Sequence, residues 1–410
     1  MTTKILVISE KYWPQGGGAE FATYLILSLL SATNNDLKIT VLTGTKEPYK
    51  TDGANFIYSD ILDTPTKIHL WRNLMTASKL GSFNKIIKNN DITYIPRLAY
   101  PLVPNAKKLG KKVLVHLHDY QPITYCAGVF SRTASDFKFG LLDDIRRSME
   151  FEILEKHNVY KALLSSSMTP INRLSKLWIM GADKVICVSK RQGQIVGLVL
   201  PEIQNKIKVA YNPLPHIPLI EKKIENPAFL YLGGDRYFKG FHLVLNAFGK
   251  VFGKHKKTKL FLATTNYTFN LKAKDTLLKL SDKVLEGRLS IFDRINGEEM
   301  SKLYSISNAL LFTSIWEEPL SYTVLESMLK GTIPIVSEVG GIPEIVQGTF
   351  AEKMVFKPDN LNGLVDKVEY VLPLSGEQLS NIGLSLRNST LERFNEDSIV
   401  QKLSKILLEN

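Results

Sequence analysis

Apolar positions along this chain fall into two alternating patterns. Short, nearly continuous β-branched or aliphatic runs recur, and longer stretches with apolar residues at helical spacing lie between them. In the first half the runs are KILVIS, KITVLT, ITYIP, KVLVHLH, DKVICVS and IKVAYN; in the second they are AFLYLGG, LFLAT, LSIFD, ALLFTS, IPIVS and KMVF. Runs of this length without polar alternation suit strands buried on both faces, and helical stretches between them suit parallel crossovers. The pattern therefore predicts an α/β protein with two parallel sheets. The segment YNPLPHIPLIEKK, with Pro213, Pro215 and Pro218, interrupts any regular element and places the joint near 212–222.

With 44% hydrophobic and 22% charged residues in a chain of 410, the composition suits a globular protein large enough for two cores. Cys126 and Cys187 are far apart and lack metal-ligand spacing, which argues against a disulfide framework or a zinc site and fits a reducing compartment. The stretch MTTKILVISEKYWPQ meets Glu10 after one short apolar run, unlike a secretory signal, and FATYLILSLLSA is too short to span a bilayer. A cytoplasmic protein is expected, with peripheral attachment to the inner membrane face as a further expectation.

Charge supplies the basis for that further expectation. Residues 1–215 hold 28 Lys/Arg against 17 Asp/Glu, leaving 24 against 23 for the remainder. The basic half is expected to meet something anionic. Its densest piece, TKIHLWRNLMTASKLGSFNKIIKNN, carries Lys67, Arg72, Lys79, Lys85 and Lys88 without an acid, beside Trp71, Leu74, Met75 and Leu80. Two readings stand side by side. One is a basic amphipathic surface for anionic headgroups or an anionic acceptor, centred on Lys67, Arg72 and Lys79. The other is a solvated crossover helix whose apolar stripe packs on a sheet. Nucleic acid is disfavoured, since no binding module is recognisable and few aromatics interleave with the charges.

In open parallel sheets, ligands bind outside the carboxyl ends of the strands, so the loops after strands are the informative ones. After the first run comes EKYWPQGGGAEF, where Gly16, Gly17 and Gly18 remove every Cβ from a strand-to-helix turn and let a ligand approach the backbone. The spacing is not G-x-G-x-x-G, which disfavours a dinucleotide site. In KVLVHLHDY, His116 and His118 share one side of an extended strand, and His118 lies at its end beside Asp119. No third ligand with metal spacing accompanies them, so His118 reads as a substrate-facing group.

In FLYLGGDRYFKGF, Arg236 and Lys239 stand at a helix entrance, where two cations and the helix dipole would hold a diphosphate; as isolated residues they would be ordinary surface charges. ALLFTS then leads into IWEEPLSYTVLESMLKG, with Ser321 as N-cap of a helix of about ten residues closed by Gly331. Glu318 precedes this helix and Glu326 lies within it. Two hydroxyl acceptors flanking the amides of a helix start suit a sugar nucleotide better than a bare anion. The alternative is an i,i+4 pair of Glu326 with Lys330, worth roughly 0.2–0.5 kcal/mol.

Together these segments resemble retaining glycosyltransferases of the GT-B architecture, and specifically glycosyltransferase family 4 (glycosyl transferases group 1). The matching residues are Gly17-Gly18-Ala19-Glu20, His118-Asp119, Lys239-Gly240, Glu318 with Glu326, and GTIPIVSEVGGIPEIV. The resemblance implies two Rossmann-like α/β/α domains facing across a cleft. Residues 1–214 would bind the acceptor, 215–390 the nucleotide sugar, and a C-terminal helix in 391–410 would return to the first domain. It further implies that Glu326 binds the ribose hydroxyls and Glu318 the transferred sugar, helped by the backbone of Pro319, Leu320 and Ser321. Lys239 would neutralise the diphosphate, His118 would contact the sugar near the reacting centre, and Gly17 and Gly18 would approach the phosphate or acceptor.

By the same resemblance, a hexose would pass from a UDP- or GDP-sugar to a glycan or lipid-linked acceptor, with retention through front-face displacement. No cofactor or metal is implied, and the Asp-x-Asp signature of the other large glycosyltransferase fold is absent from the sequence. Two places depart from the family pattern. Gly234 stands where an arginine is usual, with Arg236 two residues later as its expected replacement, and Leu320-Ser321 stands where Phe-Gly is common. The loop around Arg294 is the expected neighbour of the base. Other functions remain on the same architecture: a nucleotide-sugar epimerase or, from charge alone, a non-catalytic sugar-nucleotide or nucleic-acid binding protein.

Overall fold

The computed structural model describes residues 2–131, 141–156, 158–264, 271–293 and 295–409. Its frame is two all-parallel sheets. The first comprises β1 (Thr3–Ser9), β2 (Leu37–Thr43), β3 (Ala54–Tyr58), β4 (Ile92–Ile95), β5 (Lys112–Leu117), β6 (Lys184–Cys187) and β7 (Ile207–Val209), in the order β3-β2-β1-β4-β5-β6-β7. The second comprises β8 (Ala228–Tyr231), β9 (Lys259–Thr264), β10 (Leu289–Asp293), β11 (Ala309–Phe312), β12 (Ile333–Ser337) and β13 (Val355–Phe356), in the order β10-β9-β8-β11-β12-β13. Between them the described chain passes through residues 210–227 without helix or strand.

Both faces of each sheet are covered, which is why the strands read as unbroken apolar runs. Along β1, Ile5 and Val7 point into one core with Ile26 and Leu30 of the helix Gly18–Thr33, while Leu6 and Ile8 point into another with Leu70 and Leu74 of the helix Lys67–Ala77. The edge strand β3 escaped the sequence reading. It pairs with β2 alone and none of its residues is fully buried, so it lacks the continuous apolar run that marks the other strands. The C-terminal helix Glu396–Leu408 returns to the first domain, packing on the helix Gly18–Thr33 and accepting a hydrogen bond from Lys184 Nζ at the Ile406 carbonyl, 3.0 Å away.

In each sheet the strand order reverses once, between β1 and β4 in the first and between β8 and β11 in the second. Loops diverge from the carboxyl ends at such a point and leave a crevice. The two crevices face one another: Phe21 of the first domain packs edge-on against Tyr322 of the second, with ring centroids 5.4 Å apart.

The basic segment forms the helices Lys67–Ala77 and Gly81–Lys88, and its apolar stripe (Leu70, Trp71, Leu74, Phe83, Ile87) is buried in the domain core. The crossover reading therefore accounts for the apolar stripe. Lys67 also departs from the expected anion-facing set. Its ammonium turns inward, donating to Gln121 Oε1 at 3.0 Å and to the Tyr125 carbonyl, and desolvation lowers its pKa to about 8. Side chains in the first turn of a helix sweep back toward its N-terminus, and here that direction leads to the loop after β5. Arg72 and Lys79 stay exposed. Among the described residues no helix is long and apolar enough to cross a membrane.

Candidate active site

On the second sheet, β8 leads through Gly233 and Gly234 into a single 3-10 turn, Tyr237–Lys239. Gly240 follows at φ +74°, and a Cβ on it would strike the Thr313 carbonyl just beyond β11. Thr313 Oγ1 donates to the Lys239 carbonyl at 2.9 Å, so the turn is anchored to the neighbouring strand end. This places Lys239 at the mouth of the crevice. Its ammonium donates to Glu318 Oε2 at 2.7 Å, with the rings of Trp316, Phe238 and Phe312 around it at 5.3, 5.7 and 6.0 Å from their centroids. The side chains of Lys239 and Glu318 keep 23% and 13% exposure, so a ligand in the cleft can reach both.

Glu318 is clasped from the loop after β12. The Gly341 N–H donates to its carbonyl at 2.9 Å, and at Gly340, held at φ +50°, a Cβ would collide with that same carbonyl. The adjacent Glu317 has a different environment. It is buried and accepts from Arg191 Nε at 3.2 Å and from the Gly340 N–H at 2.9 Å, which ties the loop together. The first domain holds the loop as well: the Glu317 N–H donates to the Val129 carbonyl at 2.7 Å, and Phe130 forms an antiparallel bridge with Trp316. A cavity of about 600 Å³ opens behind it, lined by Phe130, Arg191, Glu317, Gly340, Pro343 and Lys357 among others, but not by Lys239, Glu318 or His118.

The helix after Glu318 runs over Tyr322–Leu329, eight residues where ten were expected. Ser321 takes the N-cap position, yet its side chain makes no cap hydrogen bond. The side-chain oxygen does not reach the first-turn amides, so the cap does not satisfy these orphan donors. Leu320 packs against the core, and a Cβ on Gly341 would meet the Pro319 carbonyl. Glu326 is half-buried; burial raises its carboxyl pKa and Lys330 opposes the rise. Among the described residues no ion pair within 4.0 Å joins Glu326 and Lys330, whose ammonium instead lies 5.3 Å from the Tyr304 ring centroid. The expected alternative of a simple i,i+4 pair is thus not realised. Arg236 is exposed on the Lys239 loop, 5.5 Å from the Phe238 ring centroid. Arg294 lies outside the described residues.

Across the cleft, His118 follows the last residue of β5. His116 is fully buried with Nδ1 2.6 Å from the Tyr94 hydroxyl, and the His118 ring lies 4.3 Å from the His116 ring. His118 Nε2 is buried without a partner. Burial, then His116, then Arg97 push the His118 pKa well below its ordinary value, and burial lowers that of His116 to about 3. Both imidazoles are therefore neutral near pH 7, and His118 offers a hydrogen bond rather than a charge. In NMR titrations the His118 ring signals are expected to stay fixed between about pH 5 and 8; an inflection near the unperturbed value of about 6.5 would show that the ring is solvated instead.

Arg97, two residues past β4, was absent from the expected set. Its guanidinium pairs with Glu10 at 3.3 Å and with Glu20, and its charge opposes the burial that raises the Asp119 carboxyl. Glu20 Oε2 in turn accepts the Gly17 N–H at 2.7 Å. That amide, expected to face the phosphate or acceptor, is satisfied within the turn, because Glu20 at the third helical position reaches back to it as in a capping box. Gly18 faces the other domain: a Cβ on it would lie 3.8 Å from the Tyr322 ring. The signal for Arg97 was present in ITYIPR, a cation just beyond a strand end at the switch point. Among the described residues no group of three or more His, Cys, Asp or Glu side chains could hold a metal ion.

Comparison with known proteins agrees with this geometry at the level of class. The chain has the two-domain GT-B fold, and residues 219–383 match the family described as Glycosyl transferases group 1. Sucrose-phosphate synthase from Thermosynechococcus elongatus superposes with a TM-score of 0.69 at 16% identity, covering 98% of each chain. HepE from Anabaena, solved with UDP and glucose, gives a TM-score of 0.65 at 14% identity over the full length of both. An uncharacterized glycosyltransferase of Methanocaldococcus jannaschii is 27% identical over 224 residues, which span 50% of this chain and 56% of that relative. These likenesses support a GT-B glycosyltransferase.

Proposed function

We propose that the protein transfers a hexose, with retention and without a metal, from a nucleotide-diphosphate sugar to a glycan or lipid-linked acceptor, as expected of family 4. The observation that carries this reading is the Lys239–Glu318 pair, held at 2.7 Å at the second switch point by the glycine contacts of Gly240 and Gly340. In this pair each group neutralises the other. A bound donor would separate their roles, with Lys239 turning to the diphosphate and Glu318 accepting from sugar hydroxyls. The uncapped amides beyond Ser321 offer further donors to the phosphate oxygens. Glu326 would accept from the ribose hydroxyls, and Arg236 would reach the outer phosphate from the exposed side of its loop.

From the first domain, the unpartnered His118 Nε2 would bond a hydroxyl of the transferred sugar. Loss of the diphosphate builds negative charge on the leaving oxygen and positive charge on the sugar; fixed cations and amides stabilise the first where it develops. The incoming hydroxyl would attack from the face the diphosphate leaves and pass its proton to the departing phosphate oxygen, giving retention. A UDP- or GDP-sugar fits the site, and the UDP bound to HepE supports the nucleotide class. The acceptor side would be the basic first domain, where Arg72 and Lys79 are exposed, working at the inner membrane face.

Thermal-shift measurements with a panel of sugar nucleotides test the reading, since a ligand that binds the native state raises its melting temperature. Stabilisation by one UDP- or GDP-sugar, followed by a glycosylated product with retained anomeric configuration, is the expected result. Consumption of donor without an acceptor, with release of an isomerised sugar, would assign an epimerase instead. Glu326→Gln is expected to raise the Kd of that donor roughly 10- to 100-fold, the loss of a charged hydrogen bond worth about 1.5–3 kcal/mol. Unchanged affinity would remove Glu326 from the site.

A further inference from the structure

His118 and Glu318 belong to different domains, so their spacing is set by whatever holds the first domain against the second. One side chain lies on the direct route between them. The helix Lys190–Val199 begins just beyond β6 in the first domain, and its first backbone N–H groups lack an intrahelical acceptor. Its N-cap, Ser189, takes the Gln192 N–H at 3.2 Å. The Lys190 and Arg191 N–H groups are taken by the second domain, donating to Glu344 Oε2 and Oε1 at 2.9 and 2.8 Å. A carboxylate spanning two first-turn amides is a charge-assisted cap, favoured further by the positive end of the helix dipole. Tyr211, in the connection between the sheets, adds its hydroxyl to Glu344 Oε2 at 2.8 Å.

Glu344 is itself held in place. It lies in the short helix Ile342–Val346, where the Glu344 and Ile345 carbonyls both accept from Arg393 Nη1 at 3.1 Å. The turn leading into this helix is the one that holds the Glu317-Glu318 loop, with the Gly340 N–H on Glu317 Oε2 and the Gly341 N–H on the Glu318 carbonyl, each at 2.9 Å. A Cβ on Gly341 would lie 2.7 Å from Ser189 Cβ and 2.4 Å from the Pro319 carbonyl oxygen, so glycine lets the turn touch both domains at once. On the far side, Gln192 Nε2 donates to the carbonyl of Asp119, the neighbour of His118, at 3.1 Å. A continuous series therefore runs from Glu318 through Gly341 to Glu344, across to Lys190 and Arg191, and on through Gln192 to the strand end that carries His118.

We propose that Glu344 is a positioning residue of the cleft, clasping the first domain to the second so that His118 and Glu318 face one another. Its effect on turnover rests on the transferase reading above; the clasp itself does not. The competing account is a helix cap that happens to come from the other domain and acts on Lys190–Val199 alone. The two accounts differ at a seam that Glu344 does not touch, where the Glu317 N–H donates to the Val129 carbonyl at 2.7 Å and the Ser131 N–H to the Ile315 carbonyl at 3.0 Å. A clasp protects these amides, and a local cap does not.

Hydrogen exchange of the full chain, read at the Ser131 and Glu317 amides, separates them. In Glu344→Ala, exchange at both is expected to be roughly tenfold faster than in wild type, the scale of losing a charged hydrogen bond. Ser189→Ala, which removes the local cap of the same helix but keeps its Cβ against Gly341, is expected to speed exchange only within 189–193. Glu344→Gln keeps the size and one carbonyl acceptor and should fall between wild type and Glu344→Ala, which covers the case of an alanine variant that does not fold. A rise confined to 189–193 in the Glu344 variants overturns the proposal. In turnover, Glu344→Gln is expected to lower kcat by roughly tenfold, as a small misplacement of reacting groups does, while the Kd for UDP or GDP, held by the second domain, keeps its wild-type value. A wild-type kcat, or a loss of kcat matched by an equal loss of nucleotide affinity, would remove the positioning role. If wild type turns over no donor, the transferase reading fails, and the exchange result still decides the clasp.

Discussion

Lys239→Ala is expected to lower kcat for the UDP- or GDP-sugar by roughly 10²–10³-fold, since one preorganised donor to a developing negative charge is worth about 2.7–4 kcal/mol. The Lys239 ammonium is not a free surface charge. It is positioned by the turn locked through Gly240 and Thr313 and by three aromatic rings, so little reorganisation is needed when the leaving group forms. Its partner in the site is Glu318, and the two substitutions should therefore interact. In a double-mutant cycle with Glu318→Gln the coupling in kcat/KM is expected to exceed about 0.5 kcal/mol, as for residues in contact. The loss should fall mainly on kcat, because the diphosphate is more negative when leaving than when bound. Wild-type kcat in Lys239→Ala, measured by release of the nucleoside diphosphate, would exclude the cation from the chemistry.

The parallel frame was legible because strands buried on both faces leave continuous apolar runs, and β3 was missed because an edge strand is half exposed. The placement of candidate loop residues was legible where it depends on spacing alone. Glu318 and Glu326, Lys239 with Gly240, and His118 beside Asp119 all follow strand ends, where the switch-point rule directs attention. What could not be read is which neighbour satisfies which group. Glu317 and Glu318 are identical in sequence, yet one is sealed under Arg191 and Gly340 while the other faces Lys239. Lys67 turns inward because Gln121 and Tyr125, far along the chain, provide its acceptors. The glycine turn hides a similar choice, with Glu20 reaching back to the Gly17 amide while its other oxygen takes Arg97 from far along the chain.

Arg97→Met is accordingly expected to destabilise the first domain by about 3–5 kcal/mol, the cost of leaving a buried carboxylate unpaired. For a domain of about 200 residues that corresponds to a fall in melting temperature on the order of 10 °C. The side chains of Glu10 and Glu20 are 9% and 1% exposed, so water cannot replace the guanidinium. The effect has a definite pH sign. Burial raises the Glu10 carboxyl pKa even against the pull of Arg97, and without Arg97 it rises further. A carboxyl whose folded pKa lies above its unfolded value of about 4.3 favours the fold below that value and loses this contribution as pH rises through the folded pKa. The deficit of Arg97→Met relative to wild type is thus smallest near pH 4 and largest at neutral pH. Melting curves at the two pH values decide: an equal deficit at both would mean that Arg97 acts by packing, not by charge.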